Sequence, residues 1–338
     1  MQYTTAEIMG GLGNQLFQIF ALLGYTLHYK LPFYFSSAPI QHGQRKQTYW
    51  HTPLLQSLKP FVKAPPTPQP LKTLAEQGFH YQPIPFYEQA HVKLFGYFQS
   101  YKYFQAQEAT IYRLLRIKDT QAAIKEKTQY NYTKTVAVHF RVGDYVQLPN
   151  HHPLMTLDYY TKALTQFLQD ICIAKNVEAI PQMWNILYFC EKNDQAYVET
   201  QFIQKLQDKF QGQFTFQCID HQFTDWEQMI VMSLCRHHII ANSTFSWWGA
   251  YLGGKPPTTP ASLQPNASAP RDESLCVGLL HEGACTQEGG CTQEGDCAQK
   301  EGVGACPHVY YPATWFGPAM GYKNMADLFP PHWHKINI

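Results

Sequence analysis

The segment TVAVHFRVGDY, residues 135–145, begins as a short apolar strand and then delivers His139, Arg141 and Asp144. An arginine where a strand leaves a sheet can grip a phosphate through two parallel donors, and its charge does not titrate away. His139 and Asp144 add titratable groups to the same loop, with Asp144 the best candidate for a general base. An Arg141–Asp144 ion pair that merely fixes the loop fits the same residues. A second constellation is NSTFSWWG, residues 242–249. Asn242, Ser243 and Thr244 stand where a helix begins, so hydroxyls and helix-start N–H groups point the same way, which suits a diphosphate. Ordinary capping, with Trp247 and Trp248 in the core, is the simpler reading of the tryptophans. The third constellation is GGLGN, where Gly10, Gly11 and Gly13 precede Asn14 between a strand and a helix. Glycines there let backbone come close to a ligand, and a tight turn explains them as well. The pattern is neither a dinucleotide fingerprint nor a Walker loop.

These residues must be held by alternating strands and helices. A strand over Thr4–Met9 leads to an amphipathic helix in which Leu16, Phe17, Phe20, Leu23 and Leu27 recur at helical spacing and Asn14 occupies the N-cap position. Residues 32–85 are proline-rich and poorly periodic, and they read as loops with short elements. Further on, His91–Ser100 reads as a strand, Tyr103–Ile117 as a helix and the polar stretch Lys118–Lys134 as a domain junction. The second half is more regular. Strands are expected over Thr135–Phe140, Asn185–Cys190, Phe214–Asp220 and His238–Asn242, with a helix over Leu157–Ala174. Thr224 and Glu227 form a capping box, and Gly253–Gly254 closes the helix that contains the two tryptophans. This alternation predicts an α/β chain with a parallel, doubly wound sheet of Rossmann-like topology, in which ligands bind at the carboxyl ends of strands.

Composition narrows the function. The chain has 338 residues, 45% of them hydrophobic, with a formal net charge of +1. That is material for two domains, divided here as 1–130 and 131–338. A nucleic-acid binder would show a basic excess or stripe, and this sequence has neither. Apolar runs are too short to span a bilayer, and the opening residues lack the pattern of a signal peptide. The expected location is cytoplasmic, with loose attachment to the inner face of a membrane left open. Nine cysteines are present and no C-x-x-C pair. Cys172, Cys190, Cys218 and Cys235 sit in apolar segments and read as small buried hydrophobes. The other five lie in one segment, three of them (Cys285, Cys291 and Cys297) in a tandem repeat rich in Gly, Gln and Glu, within an insertion at about 265–307 that is expected to be disordered. No metal site is expected.

Taken in order, GGLGNQLFQ, VHFRVGDY, IIANSTFSWWGAYL and YYPATWFGP…DLFPPHW resemble the bacterial α-1,2-fucosyltransferases, relatives of the protein O-fucosyltransferases and the nodulation α-1,6 enzymes. The resemblance covers most of the chain outside the repeat. It implies the GT-B arrangement of two facing Rossmann-like domains, GDP-fucose as donor, no cofactor or required metal, inversion at the sugar carbon, and a galactose-terminated oligosaccharide or lipopolysaccharide as acceptor. By the same resemblance Arg141 contacts the donor diphosphate, His139 shapes that pocket, and Ser243, Thr244 and Phe245 hold the phosphates beside Asn242. Asn14, with Gly11, Gly13 and Gln15, lies on the fucose and acceptor side. Asp220, or the Asp225–Glu227 region, approaches guanine or ribose. The family usually has a second arginine after the first; this chain has Val142.

Overall fold

In the computed structural model, residues 3–41, 46–64, 71–88, 90–175, 183–254 and 307–337 are described. The tandem repeat and the rest of the expected insertion up to residue 306 lie outside them.

The N-terminal part is built on short parallel strands. Strand β1 (Thr4–Ala6) is followed by the glycine turn, where Gly10 takes φ +80°, and by helix α1 (Leu12–Tyr29). The helix starts two residues before Asn14. Gly11, extended, is the N-cap, and Asn14 lies in the first turn. Strands β2 (Phe35–Ser36), β3 (Val62–Lys63), β4 (Leu71–Ala75) and β5 (His91–Phe95) follow. They form a three-stranded parallel sheet in the order β1-β5-β4 and a parallel β2-β3 pair. Helices α2 (Glu108–Leu114) and α3 (Ile117–Glu126) stand where one helix over Tyr103–Ile117 and then a polar stretch are read from the sequence. Arg116, at φ +53°, breaks the run between them. The polar stretch after it is helical because its polar residues find buried partners. Gln121 donates from Nε2 to Ser233 Oγ at 2.9 Å and to the Leu252 carbonyl at 3.1 Å.

The C-terminal part contains β6 (Thr135–His139), α4 (Leu157–Lys175), β7 (Trp184–Phe189), α5 (Gln195–Val198), α6 (Gln204–Lys209), β8 (Phe214–Cys218), α7 (Asp225–Leu234), β9 (His237–Ile239), α8 (Thr244–Gly253), β10 (Val309–Pro312) and β11 (His334–Ile336). A π-helical turn, Glu199–Ile203, joins α5 to α6. The expected capping box at Thr224 and Glu227 opens α7. All six strands pair in parallel, in the order β11-β10-β9-β6-β7-β8. The chain winds outward from β6 in one direction through β7 and β8, then returns to the other side of β6 with β9. The strand order therefore reverses between β6 and β9, and a crevice opens there at the carboxyl ends of the strands. His139–Arg141 leaves the end of β6, and Asn242–Thr244 leaves the end of β9.

Strand alternation distributes the core over the two faces of this sheet. Val136 and Val138 of β6 face a layer containing Tyr159, Tyr160 and Phe167 of α4. Ala137 faces the opposite layer, which is continuous with α1, α7 and α8. Trp247 and Trp248 are both fully buried in that layer. Phe17 lies 4.5 Å from Trp247 and Phe20 lies 4.5 Å from Trp248, centroid to centroid. Large aromatics buried in this way contribute on the order of 3 kcal/mol each. Of the four cysteines read as buried hydrophobes, Cys190 and Cys235 are buried, whereas Cys172 and Cys218 are half-buried.

Candidate functional site

An open cleft of about 610 Å³ lies over the strand-order reversal. The three constellations meet there. Gly11, Gly13 and Asn14 line it from α1, His139, Arg141 and Asp144 from the end of β6, and Asn242, Ser243, Thr244 and Phe245 from the start of α8.

Two helix N-termini face this cleft and neither is capped. Gly11 before α1 and Ser243 before α8 are both extended, neither accepts a side-chain cap bond, and neither helix has an acid in its first turn. The first intrahelical bonds are Gln15 N–H to Gly11 O and Trp247 N–H to Ser243 O, each 3.0 Å. The N–H groups before them have no intrahelical acceptor, and the dipole of each helix adds partial positive charge at that end. Such ends attract anions. The contrast with α7, which carries its own acid-bearing capping box, is direct.

The two helix starts also touch. Thr244 Oγ1 donates to Asn14 Oδ1 at 2.9 Å, and Gln99 Nε2 donates to the same oxygen at 3.0 Å. Asn14 therefore holds the two halves of the cleft in register rather than capping its own helix. Gly13 permits the approach, since a Cβ there would lie 2.5 Å from the carbonyl carbon of Thr244.

Arg141 is mostly buried, with 14% of its side chain exposed. Its two terminal nitrogens are each paired with a carboxylate, Nη1 with Glu191 and Nη2 with Asp144. The guanidinium also lies over the Tyr145 ring, 4.9 Å from its centroid. The simple ion pair considered from sequence is thus half of a fork, with both carboxylates half-exposed. Val142 turns away from the cleft. It is buried in the apolar layer beside Phe140 and Tyr160, so it contributes no charge to the site.

His139 is buried, and burial first, then the nearby Arg141 charge, push its pKa down to about 3. The imidazole is neutral near pH 7. Its Nδ1 and the Oδ1 of Asn242 are both buried without a hydrogen-bond partner among the described residues. Unpaired buried polar atoms are rare, and here both border the cleft. The other side of Asn242 is committed, because Nδ2 donates to the Pro153 and Trp315 carbonyls at 3.0 and 3.1 Å.

Two residues named from the sequence lie off the cleft. Gln15 is buried and donates to the carbonyls of Gly10 and Gln47, at 2.9 and 2.7 Å. Asp220 is exposed and accepts from the Gln222 N–H at 2.9 Å, which closes a local turn. Asp225, raised beside it, does line the cleft, where Tyr49 donates to its carboxylate. Sequence reasoning passed over Glu191, Tyr145, His152, His221 and Gln228. Glu191 had a signal, since it stands two residues past a parallel strand, as Arg141 does.

Cation ligands occur in two clusters among the described residues. Cys190, Cys218 and His221 converge beside the cleft, while Asp170, His308 and His334 converge near the amino ends of β10 and β11. In the second cluster Asp170 already accepts from Tyr310 OH at 2.7 Å.

Neutral buried histidines carry a pH signature. Burial lowers His139 to about 3 and His238 to about 4, from an ordinary 6.5. Between those values and 6.5 the unfolded chain binds more protons than the folded one, so stability falls as pH is lowered through that window. From pH 7 to 5 the pair is expected to remove about 4 kcal/mol of unfolding free energy. Urea unfolding at the two pH values checks this, and equal stabilities would contradict neutral, buried imidazoles.

The fold and cleft define an α/β protein whose cleft, at the carboxyl edge of a parallel sheet, presents donors suited to an anion. Residues 85–274 match the model of glycosyl transferase family 11, and the chain belongs to that family. It is 25% identical over 170 residues to the O-antigen biosynthesis glycosyltransferase WbnK of Escherichia coli, covering 47% of this chain and 50% of that protein. It is 27% identical over 169 residues to an alpha-1,2-colitosyltransferase of Escherichia coli, covering 48% and 51%. The matched segment spans about half the length of these curated relatives. Among solved structures, the fucosyltransferase NodZ from Bradyrhizobium aligns with a TM-score of 0.39 at 11% identity, over 74% of this chain and 92% of that one. FUT1 of Arabidopsis thaliana in complex with GDP aligns with a TM-score of 0.38 at 12% identity, over 75% and 68%. No helix among the described residues is long and apolar enough to cross a membrane.

Proposed function

We propose that this chain transfers L-fucose from GDP-fucose to the 2-hydroxyl of a terminal galactose on a glycan or lipopolysaccharide, with inversion and without a metal or other cofactor, in the cytoplasm or at the inner face of a membrane. The observation that carries this reading is the convergence of two uncapped helix starts and the Arg141 fork on one cleft of a family 11 chain. A metal-free reaction that expels a diphosphate must neutralise the leaving charge with fixed donors, and those donors are present. The activities named for the two Escherichia coli relatives, O-antigen biosynthesis and α-1,2 transfer of colitose, favour the acceptor class and the linkage.

In this mechanism galactose O2 attacks fucose C1 from the face opposite GDP. The bond from C1 to the β-phosphate oxygen breaks, and its electron pair stays on the diphosphate. Arg141 and the N–H groups that begin α8 receive that charge. An arriving diphosphate competes with the carboxylates now on Arg141, and Asp144, once released, is the carboxylate assigned to accept the hydroxyl proton. His139, neutral and short of one partner, serves as a hydrogen-bonding wall rather than as a base. Asn14, Gly11 and Gly13 border the fucose and acceptor side, and of Asp220 and the Asp225–Glu227 region, the two alternatives for the nucleoside, Asp225 is the one that lines the cleft.

The test is incubation of the purified chain with GDP-fucose and lactose in EDTA, with product linkage read by NMR. An α-1,2-linked fucosyl-lactose is expected. Another linkage would replace the acceptor assignment. Transfer of colitose but not fucose would replace the donor.

A further inference from the structure

The wall of the cleft formed by β7 and β8 carries soft ligand atoms that the transfer reaction does not use. Cys190 follows the end of β7, Cys218 ends β8, and His221 lies in the turn just beyond. Strand pairing sets Tyr188 opposite Cys218, which brings the two thiols to the same edge of the sheet. The ligand atoms of Cys190, Cys218 and His221 all lie within 4.8 Å of one another. Cys218 Sγ is 3.6 Å from His221 Nε2. In a tetrahedral zinc site with ordinary bond lengths, the sulfur–nitrogen edge is about 3.5 Å and the sulfur–sulfur edge about 3.8 Å. Hydrogen bonds link Cys190 to Cys218 and Cys218 to His221, so the three ligand atoms are already gathered at one point. Glu199 stands close by, held by Tyr188 OH at 3.0 Å and Gln195 Nε2 at 2.8 Å, and adds negative charge around both thiols. Cys190 and His221 border the cleft, so an ion held by them would sit at its wall.

We propose that Cys190, Cys218 and His221 bind a thiophilic divalent cation such as Zn²⁺, and that the bound ion obstructs ligand binding in the cleft. Two sulfur–metal bonds and one nitrogen–metal bond form, and the thiol protons pass to solvent. Thiolate and imidazole ligands select zinc-like ions over magnesium or calcium. The site is inhibitory, separate from the chemistry of transfer.

The test uses the full chain with Cys276, Cys285, Cys291, Cys297 and Cys306 replaced by serine, so that those thiols cannot contribute. Cobalt(II), added to the reduced protein, is expected to give a thiolate-to-cobalt charge-transfer band and a tetrahedral ligand-field spectrum saturating at one equivalent. Cys218→Ser and His221→Gln, both at half-buried positions, should each abolish the one-equivalent signal. One equivalent of zinc should weaken GDP binding about tenfold or more, and Cys218→Ser should remove that effect. Absence of the cobalt band, or its persistence in both variants, would overturn the site. Unchanged GDP affinity with zinc bound would overturn the inhibition. A parent that binds cobalt but no GDP would sink the nucleotide reading of the cleft, and with it the inhibition, while leaving the metal site standing.

Discussion

Turnover of Arg141→Lys is expected to fall about a hundredfold or more, with little change in melting temperature. Lysine keeps the positive charge but offers a compact ammonium in place of a planar fork. The fork is what this site uses, because its two terminal nitrogens already engage two separate carboxylates, Glu191 and Asp144. A diphosphate spanning both nitrogens would meet the same geometry. The two roles of Arg141 separate cleanly in this variant. An arginine that only ties the loop would show its loss as stability, of about 1 kcal/mol for pairs with half-exposed carboxylates, and would leave kcat alone. An arginine that receives leaving-group charge would show the reverse. Steady-state kinetics with GDP-fucose, beside thermal unfolding, reads both. Wild-type kcat in a folded lysine variant would remove Arg141 from the mechanism.

Gly13→Ala is expected to destabilise the chain by about 3 kcal/mol. The sign is informative, because alanine in place of glycine inside a helix normally gains about 1 kcal/mol. Here the new Cβ would stand 2.5 Å from the Thr244 carbonyl carbon and 2.6 Å from its oxygen. Those are backbone atoms, so no rotamer change relieves the clash, and α1 and α8 must separate. Separation would stretch the Thr244–Asn14 hydrogen bond and spread the two helix starts. Activity should therefore fall even at temperatures where the variant remains folded. Urea unfolding measures the first effect and transfer assays the second. An alanine variant as stable as the parent would mean that the helices do not approach as described.

Much of this site was legible because parallel sheets gather function at one edge. Once His139–Arg141 and Asn242–Thr244 are recognised as the ends of strands, their meeting follows from the topology, and the reversal of order between β6 and β9 locates it. Two misreadings share a cause, namely partners distant in sequence. Asn14 reads as an N-cap by local pattern, but its partners are Thr244 and Gln99, and Gly11 with no side chain opens the helix instead. The stretch after Ile117 reads as a linker because it is polar. It is a helix because Gln121 has buried acceptors more than a hundred residues away. Asp220 stands two residues past the end of β8, where its carboxylate accepts from the Gln222 N–H in a local turn. Val142, a departure at the level of family resemblance, becomes simple in the fold, since its side chain belongs to the core.

The aromatic contacts of Phe17 and Phe20 with Trp247 and Trp248 have a consequence for how a ligand would enter. They fasten α1 to α8 directly behind the two helix starts. Opening the cleft like a pair of jaws along that seam would expose buried rings, so the walls stand at their working separation before anything arrives. The N–H groups of the two helix starts would then be aimed before an anion arrives, with little reorganisation of those two helices to subtract from its affinity. Encounter and departure become matters of diffusion and of the exchange of partners on a single guanidinium.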